Sequence, residues 1–251
     1  MTSGRKYRKP PVVEALCEIY FAGSNWDETV PGRFYDRVKD RFPVKRQREI
    51  QEAEVAFAGS GEAAASVRRL PPWMQFLSEK GDRLIQLGRD LLVVNQLRPY
   101  PSFEDWEPVI YAALEVYRDL AQPKGVARLG MRYINRVVIP EPRILMEDYF
   151  TVYPHLPREM GEEHGRFMVR FEVLSRKSGH GVLVTFGSAP PSNPSEIVHL
   201  LDLYDIFKPS DMLPLDQVPT EVQTAHEDVE VAFEGSITQR LRQLFELEET
   251  S

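Results

Sequence analysis

Between Trp73 and Leu97 the chain runs through three short apolar stretches, Trp73–Glu79, Leu84–Leu87 and Leu91–Leu97. Lys80-Gly81-Asp82 and Gly88-Arg89-Asp90 separate them. Gly and Asp supply the backbone conformations of tight turns, and breaks this short suit hairpins. The segment predicts an antiparallel meander, and the rest of the chain must be arranged around it.

Strands and helices alternate on both sides of this meander. Val13, Ala15, Cys17, Ile19 and Phe21 alternate with a set that includes Glu14 and Glu18, which predicts a half-buried strand after Pro10-Pro11. Val30, Phe34, Val38 and Phe42 recur every four residues and predict a helix closed by Pro43. Residues 51–58 read as a short strand. Trp106, Ile110, Ala113, Tyr117 and Leu120 trace a second helix, with Pro108 early in it.

After a linker at residues 121–126 the pattern restarts. Leu129–Ile139 reads as a long strand and residues 144–150 as a short helical piece. Phe167–Leu174 and Val182–Phe186 form a hairpin around Lys177-Ser178-Gly179-His180, and Ile197–Ile206 is a further strand. An apolar stripe from Val222 to Leu244 predicts one continuous helix over 221–247, with Thr220 and Gln223 as a capping box. Ser236 and Gln239, just after Gly235, offer a competing second start.

The fold expected is α+β: two similar lobes, 1–122 and 123–251, each an antiparallel sheet with helices on one face. The repeated order suggests an internal duplication. A hydrophobic content of 42% supports a packed core, and no apolar run approaches the ~18 residues of a membrane span. Arg5, Lys6, Arg8 and Lys9 are followed by Pro10-Pro11 and not by an apolar stretch, so no signal peptide is expected. A single cysteine suits a reducing cytoplasm.

Four phrases carry a resemblance. They are Tyr7-x-x-Pro10-Pro11-Val12-Val13-Glu14-Ala15, running on to Glu18, Ile19 and Phe21; Gly130-Met131-Arg132-Tyr133-Ile134-Asn135-Arg136; Leu201-Asp202-Leu203; and His226 followed by Phe233-Glu234-x-Ser236-Ile237-Thr238 and Leu241. Together they resemble a sporadically distributed prokaryotic family of proteins of this length, to which no activity is assigned. The resemblance implies a soluble intracellular protein, and its patchy distribution hints at defence or toxin–antitoxin neighbourhoods.

Chemistry is sparse. Arg128, Arg132 and Arg136 share one face of a strand, about 13 Å between neighbours at ~3.3 Å per residue. Such a row must find anions. One reading is a structural seam with Glu14 and Glu18. The other is a pocket where Arg132 and Arg136 hold a phosphate or carboxylate, oriented by Asn135 or Tyr133. Residues 1–48 carry eleven Lys/Arg against six Asp/Glu, a net of +5, while 221–249 carry eight acids against two arginines, a net of −6. The acidic helix is expected to dock on the basic N-terminal helix.

Gly59-Ser60-Gly61-Glu62-Ala63-Ala64 spells a dinucleotide phrase, but in this context it reads as a loop. Cys17 reads as a buried apolar group, His226 as a core histidine and His180 as an exposed turn residue. His155, Glu159, Glu163 and His164 read as a polar surface loop. No catalytic residue, cofactor or metal ligand is assigned.

The sequence favours a non-enzymatic interaction module with a protein partner or a second copy. The alternative is a small-anion or nucleotide binder that uses the arginine row in an inter-lobe groove. Nucleic acid is disfavoured by the absence of a recognition motif and by the net charge of −7. No membrane is expected.

Overall fold

The computed structural model describes residues 5–57, 63–157, 159 and 164–247, with backbone alone at 49–57 and 63–72. Nine strands form one sheet: β1 (Val12–Ala22), β2 (Val44–Phe57), β3 (Ala63–Leu77), β4 (Arg83–Gly88), β5 (Leu91–Leu97), β6 (Gly125–Ile139), β7 (Met168–Leu174), β8 (Gly181–Ala189) and β9 (Ile197–Phe207). Their order is β2-β3-β4-β5-β1-β6-β9-β8-β7, and every neighbouring pair is antiparallel.

The meander expected at 73–97 is β3, β4 and β5. What differs is the join. β1 and β6 pair directly, with Cys17 opposite Met131 and Glu18 opposite Gly130. The two expected sheets are therefore one, and no groove separates the halves at this seam. β5 lies outside β1 and β9 outside β6, so each central strand is flanked by the last strand of its own half.

All the helices serve one face. They are α1 (Val30–Val38), α2 (Phe103–Ala121), α3 (Met146–Tyr149), α4 (Val218–Ser236) and α5 (Gln239–Leu244). Their apolar side chains join Ala15, Cys17, Ile19 and Phe21 of β1 in one core cluster that includes the fully buried Trp106, Tyr117 and Phe34. Cys17 is indeed a buried apolar group. Ser102 caps α2 by accepting the Asp105 N–H at 3.1 Å. Because α2 starts at Phe103, Pro108 lies inside it and forgoes one ladder bond.

Local expectations are extended in one place and overturned in others. The strand expected at 51–58 is the longer β2, whose polar residues Lys45 to Arg48 are exposed at the sheet's edge. Residues 59–62 of the glycine phrase lie outside the described residues. Ala63 already belongs to β3, so no helix follows the glycines.

The continuous C-terminal helix breaks at Ile237, which is extended (φ −119°, ψ 152°) and 2% exposed. Thr151 N–H donates to Ser236 O at 3.0 Å and Thr238 N–H to Tyr149 O at 3.0 Å. These tertiary bonds replace helical ones. Neither capping box forms: α4 begins two residues before Thr220, and Thr238, not Ser236, precedes α5.

The acidic helix meets the basic tail and not α1. Glu234 accepts from Arg5 at 2.8 Å, Tyr7 at 2.5 Å and Arg242 at 2.8 Å. The helix α1 packs on α2 instead, with Arg37 3.3 Å from Asp119.

Candidate interaction face of the sheet

Strand alternation sends the remaining side chains to the opposite face. Leu16, Leu91 and Val93 are buried there at 7%, 4% and 2% exposure, and Tyr20 and Trp73 pack against them. All five come from strands. Among the described residues no helix contributes to this cluster, so the face presents its own side chains outward.

The arginine row runs down the middle of it. Arg132 makes a two-pronged contact with Asp202, Nε to Oδ1 at 2.8 Å and Nη2 to Oδ2 at 2.6 Å. Arg128 lies over the rings of Tyr20 at 4.8 Å and Tyr204 at 5.6 Å, and 3.7 Å from Glu18. Tyr204 accepts from Arg128 and donates to Glu18 at 2.5 Å. Burial and the Glu18 carboxylate push the Tyr204 phenol well above its ordinary value, so it stays a donor. Among the described residues Arg136 reaches only neutral acceptors, Pro190 O and Ser192 Oγ, at 3.4 Å each.

Gly130 makes the stack possible. A Cβ there would sit 2.6 Å from Cε2 of Tyr204. An aromatic ring laid over a strand glycine recovers the packing that the missing side chain forgoes. Gly130→Val is expected to cost about 1–3 kcal/mol in urea unfolding, by driving the ring off Glu18. With Tyr204→Ala beneath it, most of that cost should vanish. An unchanged cost would mean the glycine does not serve the ring.

The four candidate residues divide between the faces. Arg132 and Arg136 are on the helix-free face. Tyr133 is 6% exposed among the helices, its hydroxyl 3.0 Å from Tyr100 and 3.1 Å from His226 Nδ1. Asn135 is 1% exposed and donates to Leu201 O at 3.1 Å. Even and odd residues of one strand cannot line one pocket, and the anion that Arg132 finds is Asp202 of its own chain.

A second polar row crosses the same face. Gln75 and Arg48 donate to Gln86 at 3.0 and 3.4 Å, Gln86 donates to Asn95 at 3.1 Å, and Asn95 donates to Glu14 at 2.6 Å. Arg48 also lies 5.9 Å from the Trp73 ring. Sequence reasoning missed this row. Its only signal was the amides Gln75, Gln86 and Asn95, one from each apolar run of the meander.

His180 is not exposed. It is 5% exposed and packed on Phe207, with Nδ1 3.0 Å from Asp205 Oδ1 and Nε2 3.3 Å from Glu221. Asp228 stands 3.9 Å away, held by the hydroxyls of Ser175 and Ser178. The hairpin turn folds down against α4, which brings the imidazole under cover. His180, Asp205 and Asp228 each offer a ligand atom within 4.8 Å of the others, a donor set that suits a divalent cation. His180, Ser175 and Ser178 hold these carboxylates, while Asp205 Oδ2 is buried with no hydrogen-bond partner among the described residues.

Glu163 lies outside the described residues. His164 donates to Pro154 O at 2.6 Å, and His155 packs on Tyr153, so the surface-loop histidines are occupied locally. His226 is buried as expected and stacks on Phe103 at 3.7 Å. Among the described residues no helix is long and apolar enough to cross a membrane. No family model matches the chain, and no curated protein matches it.

Proposed function

We propose that this chain is a non-enzymatic interaction module that presents the helix-free face of its sheet to an acidic protein partner. The observation that carries the reading is the face itself, whose rows of arginine, tyrosine and tryptophan no described helix covers. Arg, Tyr and Trp are the side chains over-represented where proteins bind one another. Among the residues whose side chains are described, strand register assigns Arg46, Arg48, Arg128, Arg132, Arg136 and Arg170 to this face against Glu14, Glu18, Asp202 and Glu172. A net positive face on a chain of net charge −7 favours an acidic contact. The cross-linked stacks fix side chains in place beforehand, which lowers the entropy that binding costs.

The strand order fits an internal duplication, with a pseudo-twofold axis between β1 and β6. On that reading the face is a bilateral surface, one half from each copy. The phrase around Gly130 to Arg136 supports kinship with the sporadic prokaryotic family it resembles, and a cytoplasmic setting accords with its single thiol.

Native mass spectrometry of the chain purified from its own host tests the proposal. A polypeptide at fixed stoichiometry is expected. Arg136→Glu and Arg48→Glu should weaken its binding by about tenfold or more each. A bare chain, or a complex indifferent to both reversals, would end this reading. A small added mass that disappears in Arg136→Ala would replace the protein partner with a small anion.

A further inference from the structure

The strand β7 closes one edge of the sheet, and among the described residues it pairs only with β8. Met168, Phe171, Val173 and Leu174 are 75%, 40%, 47% and 73% exposed on it. A seven-residue apolar edge without proline, and without a covering element among the described residues, is a template for another strand. Native proteins blunt such edges unless they use them.

The sequence of β7 reads Met-Val-Arg-Phe-Glu-Val-Leu. About Phe171 it is nearly its own mirror image in chemistry. Apolar residues sit at both ends, valines one step in, and Arg170 and Glu172 flank the centre. An antiparallel pair of identical strands centred on Phe171 would set Arg170 against Glu172 twice, Val169 against Val173 twice, and Phe171 against itself. Cross-strand opposite charges and aromatic pairs are the contacts that stabilise such ladders.

Backbone geometry selects the same register. Ser188 N–H donates to Phe167 O at 3.0 Å, and Ser175 N–H to His180 O at 2.8 Å. The odd-numbered residues therefore spend their N–H and C=O on β8. Residues 168, 170, 172 and 174 point theirs at the open edge. Two such edges pair only when even residues face even residues. Among those registers, the one centred on residue 170 sets arginine against arginine. The one centred on 172 sets glutamate against glutamate. Only the register centred on 171 pairs opposite charges.

We propose that β7 pairs antiparallel with β7 of a second copy about a twofold axis through Phe171, joining two nine-stranded sheets into one. The contact is isologous, so it closes at two subunits and does not propagate. It leaves the helix-free faces of both copies side by side. The inference stands on the edge strand alone and does not depend on the acidic partner.

Sedimentation velocity of the purified chain at tens of micromolar tests it, with circular dichroism as the check on folding. A dimer is expected. Arg170→Glu and Glu172→Arg, both on exposed side chains, should each raise the dimer dissociation constant at least about tenfold. The double variant Arg170→Glu/Glu172→Arg should restore it. Arg170→Pro removes an edge-facing N–H that β8 does not use, and should yield folded monomer. A monomeric wild type, a dimer unmoved by either reversal, or a double variant without recovery would overturn the assignment.

Discussion

Acidification from pH 7 to pH 4 is expected to remove about 3 kcal/mol of stability through His199 alone. Its ring is 4% exposed inside a cage of Phe150, Phe167 and Phe186, with centroids at 5.2, 5.7 and 5.2 Å. Nδ1 has no hydrogen-bond partner among the described residues. Burial, with a smaller contribution from His164, lowers its pKa from 6.5 to about 4. The unfolded chain therefore binds a proton between those values that the folded chain refuses. Stability is complete above the unfolded pKa and is lost as the pH falls toward the folded one. His199→Phe fills the same cage with a ring that cannot titrate. Urea unfolding of wild type and variant across this range gives the difference directly. The gap between them should shift in the variant's favour by about 3 kcal/mol as the pH falls. A gap that stays constant would show that the imidazole is not held neutral.

Elements set by local pattern were legible in the chain. The meander, the hairpin around Lys177–His180 and the one-sided arginine row follow from turn residues and from period-two alternation. The choice of partners did not follow. Glu18 meets Arg128 as the seam reading expects. Arg132 goes instead to Asp202, because β9 lies beside β6 and no local signal says so. Glu14 is taken by Asn95.

The alternation that exposed the row also placed Tyr133 and Asn135 behind the sheet, so the expected pocket dissolves by its own logic. Gly130 read as a phrase, while its use became visible only with Tyr204, which arrives from another strand. The helix break at Ile237 was undecidable from the stripe alone. It depends on carbonyls and amides at 148–151, far away in sequence.

His180 shows the limit most sharply, and removing its imidazole should be the most damaging change at any polar side chain of the core. Its hairpin position is that of a solvent residue by composition, yet its partners are Asp205, Glu221 and Asp228. Burial works against its charge, but the hydrogen bond to Asp205 and the surrounding carboxylates outweigh it and raise the pKa. The Asp205 carboxyl is also pushed up, because burial and neighbouring Asp228 outweigh the imidazole.

His180→Ala strands the carboxylates without a cation and should cost about 3–5 kcal/mol, as should Asp205→Ala from the other side. The two costs should not add. Once one partner is gone the second has little left to lose, so the double variant should lie well short of the sum.

Both groups hold more protons folded than unfolded, which fixes the pH sign. Their contribution is complete below the unfolded values and is lost as the pH rises through the folded pKa of each, opposite to His199. His180→Ala should accordingly be most damaging at mildly acidic pH and less so as the medium turns alkaline. Additive single costs, or a penalty that grows with pH, would show the histidine to be neutral packing that does not stabilise Asp205.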